Sequence, residues 1–148
     1  MASTVSNKLK FLLASKIIDF ANDTFIIILM QSGFVFDRDA HMAYADVSAF
    51  ELATANGYTI KTKELTGVKV TEDTVNDYCS VVWSNVTWTA TGGSIGPTPG
   101  AIIIDDTVEA DGDEVPADPI IGYIDFGGNQ TQADGGTATI SNIEVRIK

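Results

Sequence analysis

DYCSVVWSNVTWT, Asp77 to Thr89, is a run of β-branched and aromatic residues, the types that fit a pleated, half-buried surface. Read as one strand, it places Val82, Val86 and Trp88 on one face and Val81 and Trp83 on the other. Further strand signals flank it. Upstream, TFIIILMQ (Thr24 to Gln31) is apolar without alternation, which predicts a strand buried on both faces. Tyr58 to Thr62 and Leu65 to Thr71 read as two short strands after the Asn56-Gly57 turn. Downstream, Ala101 to Ile104 and Pro119 to Phe126 are apolar runs. In the last strand Ile143, Val145 and Ile147 alternate with Glu144, Arg146 and Lys148, giving one buried and one wet face. Gly92 to Gly100 and Gly127 to Gly136 are rich in Gly or Pro and read as loops.

Helical signals are few. Val5, Leu9, Leu12 and Leu13 recur at helical spacing behind Ser3 or Thr4 as N-cap, which predicts an N-terminal helical segment over residues 1–20. Asp46 to Ala53 reads as a helical turn with an Asp cap. The expected fold is therefore mostly β: a single-domain, two-sheet β-sandwich over 21–148, with a jelly roll as one arrangement, a short N-terminal helix, and an acidic loop at 105–118.

The chain has 148 residues, enough for one hydrophobic core, and 45% of them are hydrophobic, which excludes a disordered class. Its apolar run Phe25 to Met30 covers six residues, far short of the ~20 that cross a bilayer, so no membrane partner is expected. The lysines and leucines near the start imitate a secretion signal, but the apolar stretch is too broken for one. Cys79 is the only cysteine, expected to be a buried strand residue, and it excludes an intrachain disulfide. The net charge of −11 lies wholly in residues 70–148, where 13 acids face only Arg146 and Lys148. Such a half repels phosphates, so nucleic acid is not an expected partner.

Chemistry-bearing patterns are weak. His41 lies beside Asp37 and Asp39 in a polar loop, without the second His or Cys of a zinc site, and reads as solvent-exposed. No nucleophile elbow, phosphate loop or dinucleotide fingerprint occurs. Asp105 with Asp106 and Asp111 with Asp113 supply carboxylate pairs, but glycoside hydrolysis needs one acid buried in a cleft, and this loop is solvating in composition. Asp111 to Glu114 has hard oxygen ligands for calcium without the full EF-hand spacing. Trp83, Trp88 and Tyr58 are candidates for a sugar-stacking platform, although five residues of strand put the two tryptophans on opposite faces. Asn85-Val86-Thr87 matches a glycosylation sequon but falls within a strand. No enzyme activity, cofactor or metal is expected.

Asp23-Thr24 leading into an apolar strand, ADVSAFELATANGYT (Ala45 to Thr59), LTGV (Leu65 to Val68), VTWTATGGSIGP (Val86 to Pro97), AIIIDDT (Ala101 to Thr107) and IIGYIDFG (Ile120 to Gly127) follow one another in an order that spans most of the chain. Together they resemble a group of small structural proteins of tailed-bacteriophage virions. The resemblance implies a non-enzymatic virion protein, made in the host bacterial cytoplasm and oligomeric in the particle. A capsid decoration or cement protein binding the major capsid protein is the leading expectation. A tail or head-tail component, or a tail-tip receptor- or carbohydrate-binding module, is the rival. Glu109 to Asp118 departs from the pattern, where a shorter connection is expected. Lys8, Lys10 and Lys16, with no acid before Asp19, are the candidate contact with an acidic neighbouring subunit.

Overall fold

The computed structural model describes residues 2–148, which form a mostly β, two-layer sandwich with one short N-terminal helix. The elements are β1 (Ala2–Val5), α1 (Asn7–Ala14), β2 (Phe25–Leu29), α2 (Tyr44–Val47) running into a 3-10 turn (Ser48–Phe50), β3 (Lys63–Leu65), β4 (Lys69–Asp73), β5 (Tyr78–Trp83), β6 (Val86–Thr89), β7 (Ile95–Asp105), β8 (Ile120–Gln132), β9 (Thr137–Ile140) and β10 (Ile143–Ile147). One layer is the sheet β1-β8-β7-β2-β3; the other is made of β10-β5-β4 and β6-β9. A jelly roll, by comparison, has eight strands in two sheets.

Side-chain period two explains the packing. Phe25, Ile27 and Leu29 of β2 join Ala101 and Ile103 of β7 on the inner face, where they meet Val81, Trp83, Val86, Trp88, Ile143 and Val145 of the opposite layer. The alternate residues Ile26, Ile28, Ile102, Ile104 and Ile120 face outward into a second apolar cluster with Val47 and Tyr123. The central strands are thus buried on both faces, as their unbroken apolarity requires, and each such side chain contributes roughly 1.5–3 kcal/mol.

Several local expectations are corrected. The run Asp77 to Thr89 is two strands, because Ser84 breaks out of line and donates its backbone N–H to Thr66 O at 2.9 Å. The break resets the alternation, so Trp83 and Trp88 both turn inward and are 5% and 4% exposed. The N-terminal segment is not helical throughout: β1 adds an edge strand to β8, and the helix begins after Ser6, whose Oγ accepts from Lys8 N. The helical turn starts earlier than read, with Asp46 inside it and its carboxylate accepting from Met42 N and Ala43 N at 2.9 Å. Tyr58 to Thr62 is a turn rather than a strand. The two glycine-rich stretches are largely strand: Ile95 pairs with Gln132 and Thr98 with Gln130 in the far half of the β7–β8 hairpin. Glycine is what permits this close approach, since Gly96 sits at φ +115° and a Cβ there would lie 2.5 Å from Gln130 O.

Candidate functional site: an aromatic outer face

The outer face of the five-stranded sheet is covered by the segment from Gln31 to Phe50. It is tethered at both ends: Gln31 N donates to Phe50 O at 2.8 Å, Gln31 Nε2 donates to Glu51 O at 2.9 Å, and Ile120 N donates to Met42 O at 2.8 Å. Within the cover, Phe34 lies 5.4 Å from His41, 5.9 Å from Phe50 and 5.8 Å from Tyr123, and Phe36 stacks on Tyr123 at 5.6 Å. Phe34 and Phe36 pack half-buried on the outer apolar cluster of the sheet, to which Tyr123 belongs. Val35 is 79% exposed, Phe50 48% and Met42 40%, and a hollow of about 260 Å³ is framed by Gln31, Ser32, Gly33, Phe34, Val35, His41 and Phe50.

His41 is half-buried between Phe34 and Phe36, not a free loop residue. Its Nδ1 accepts from Asp37 N at 3.0 Å, which leaves Nε2 to carry the proton of the neutral ring. Asp37 closes the same turn by accepting from Asp39 N and Ala40 N, and these bonds hold its carboxyl below the usual range. The start of α1 braces the turn from the side: Asn7 N donates to Arg38 O, Arg38 Nε donates to Asn7 Oδ1, and Asn7 Nδ2 donates to Asp39.

A buried carboxylate anchors the far end of the cover. Glu51 accepts from Tyr58 OH and Tyr44 OH, both at 2.7 Å, and from Lys61 N at 2.8 Å. Tyr58 OH also accepts from Leu29 N at 3.0 Å, completing β2 beyond the point where the short β3 stops pairing with it. Burial and Glu51 push the Tyr44 hydroxyl up to about 12 and the Tyr58 hydroxyl higher still.

The predicted contact lysines do not converge. Lys8 pairs with Glu114 at 3.3 Å and lies over the Phe11 ring, so it is spent within the molecule. Lys10 is exposed two residues further along α1, about 200° around the axis, and Lys16 is exposed beyond the helix end. The acidic connection 106–119 is pinned rather than free: Val108 and Val115 are buried, and Lys61 bridges Asp106 at 2.9 Å and Asp118 at 2.8 Å. Its first neighbour, Asp105, is fully buried. Asp105 Oδ1 accepts from Thr107 N, whereas Oδ2 has no N–H donor and the carboxyl meets that of Asp23. Burial, with the facing Asp23 adding to it, pushes Asp105 up to about 7. Asp105 is a buried acid that the composition of the loop conceals, and it lines neither hollow. Among the described residues, no group of three or more His, Cys, Asp or Glu is placed to hold a metal ion, and no helix is long and apolar enough to cross a membrane.

The stacking trio is core: Tyr58 lies 5.9 Å from Trp88 and is 2% exposed, and Lys63 covers the Trp88 ring. Cys79 is half-buried on β5, packed against the core. A second hollow, about 300 Å³, opens between the far half of the β7–β8 hairpin and the β6–β9 pair, with Leu29, Ile95 and Phe126 in its walls and Thr98, Gln130 and Gln132 among its polar groups. Comparison with protein-family models, curated proteins and solved structures finds no match.

Proposed function

We propose that this chain is a non-enzymatic structural protein of a tailed-bacteriophage virion, a decoration or cement protein that seats its aromatic outer face on the major capsid protein. The observation that carries the reading is the exposed Phe50, Val35 and Met42 beside a shallow hollow, on a cover braced from three sides. Clustered aromatic and aliphatic side chains on a rigid support are what protein interfaces use, because they desolvate apolar area without an ordering cost. The sequence resemblance to phage virion proteins supplies the partner. Its phrase Ala45 to Thr59 contains Phe50, Glu51 and Tyr58, the contact residue and two groups of its anchor. The acidic connection lends the particle an outer surface that resists aggregation.

Purified protein mixed with capsids lacking it is expected to co-sediment at a fixed number of copies, and Phe50→Ser with Val35→Asp to abolish that binding. Absence of saturable binding by the unaltered protein would move the assignment to the tail. The second reading, a receptor- or carbohydrate-binding module, is favoured by the hollow beside Gln130 and Gln132, whose amides and threonine hydroxyls suit sugar hydroxyls. Glycan-array binding lost on Gln130→Ala would select it.

A further inference from the structure

β4 is a free edge. It pairs with β5 on one side only, and among the described residues no segment hydrogen-bonds to its other side. Lys69 to Glu72 are all exposed, and Val70 is 50% exposed. Proline and bulge do not protect it, since its register with β5 runs from Lys69↔Val82 to Asp73↔Tyr78 unbroken; Lys69, Glu72 and Asp73 guard it by charge, so only a partner that answers those charges can pair with it.

Its sequence, KVTED, is also complementary to itself in one antiparallel register. With Thr71 opposite Thr71 of a second copy, Lys69 falls opposite Asp73 and Val70 opposite Glu72, and the relation is two-fold symmetric. Both charged pairs then lie on the face that carries Ser80 and Tyr78, away from the core-facing Val81. On the other face Val70 of each copy lies opposite Glu72 of the other, and the two half-exposed valines are diagonal neighbours. A slip of one residue would set the core-side face of one copy level with the outer face of the other, and a slip of two would part Lys69 from Asp73.

We propose that β4 joins a second copy of this chain by antiparallel strand pairing about Thr71, fusing the two β10-β5-β4 sheets into one of six strands. Pairing of two five-residue strands buries less than a standard interface, so the dimer is weak in solution and gains strength where copies are arrayed. It needs no capsid, so its failure and the failure of the virion reading are separately visible.

Sedimentation velocity over a concentration series of the full chain, with circular dichroism to verify folding, tests it. The unaltered protein is expected to show a concentration-dependent dimer. Lys69→Glu and Asp73→Lys, each setting like charges opposite one another, are each expected to weaken it about tenfold or more. An equimolar mixture of the two variants is expected to recover dimer, because Glu opposite Asp73 and Lys opposite Lys69 are both relieved in the mixed pair. An unaltered protein that stays monomeric at the highest concentration, single variants that dimerise as it does, or a mixture that shows no recovery would overturn the proposal.

Discussion

Asp105 and Tyr58 show how much depends on single polar groups in the interior. The folded-state pKa of Asp105, about 7, lies above its ordinary value of 3.8, so the fold binds a proton that the unfolded chain releases. Its contribution is fully present below pH 3.8 and is lost as pH rises through 7, with a slope of at most about 1.4 kcal/mol per pH unit. Asp19, Asp37, Asp73 and Glu144 are shifted the other way, mainly by hydrogen bonds to their carboxylates, and their contributions are lost in acid. Thermal melts should therefore peak in mildly acidic buffer. Asp105→Asn, which keeps the acceptor for Thr107 N, should flatten the decline between pH 4 and 7 and raise the melting temperature at pH 8. Tyr58→Phe removes a donor to Glu51 and the acceptor of Leu29 N while keeping the ring against Trp88. Urea unfolding should register a loss of about 1–3 kcal/mol.

At the scale of elements, the acidic connection owes its order to cations from elsewhere in the chain. Lys61 spans Asp106 and Asp118, the two ends of the connection, and Lys8 holds its tip through Glu114. These pairs are partly exposed, so each contributes at most about 1 kcal/mol to global stability, but they decide whether the connection lies down. Lys61→Met should leave the melting temperature within a few degrees of the unaltered protein. Amide exchange or limited proteolysis within 106–119 should be faster by several-fold. High salt should have the same local effect. The aromatic cover contrasts with this: its braces are mostly backbone hydrogen bonds and ring contacts, which salt does not loosen.

Across the whole molecule the centre of the five-stranded sheet is buried on both faces, by the second layer within and by the cover without. Val35→Asp alters an exposed part of the cover and Phe50→Ser a half-exposed one, so the double variant should melt within a few degrees of the unaltered chain. A large drop in melting temperature would mean that these side chains serve packing instead. Much of the sandwich was legible from the order of residues. FIIIL and AIII carry no polar alternation because both of their faces are covered, and IEVRI alternates because one of its faces is wet. Those patterns, the presence of a short N-terminal helix and the acid-rich connection follow from side-chain period and local turn chemistry alone, whereas the helix's cap at Ser6 and the strand before it do not. Contacts between residues distant in sequence were decided only by the tertiary structure. The inward turn of both tryptophans depends on a break held by Thr66, Asp105 is faced by Asp23 on a chain path 82 residues apart, and Lys8 is captured by a loop 106 residues away. The aromatic face has the same origin, since Phe34, Phe36, His41 and Phe50 have no common period and become neighbours only when the cover folds onto Tyr123. Local sequence specifies which face of an element is apolar; which other element meets that face depends on chain topology, and no short-range pattern encodes it.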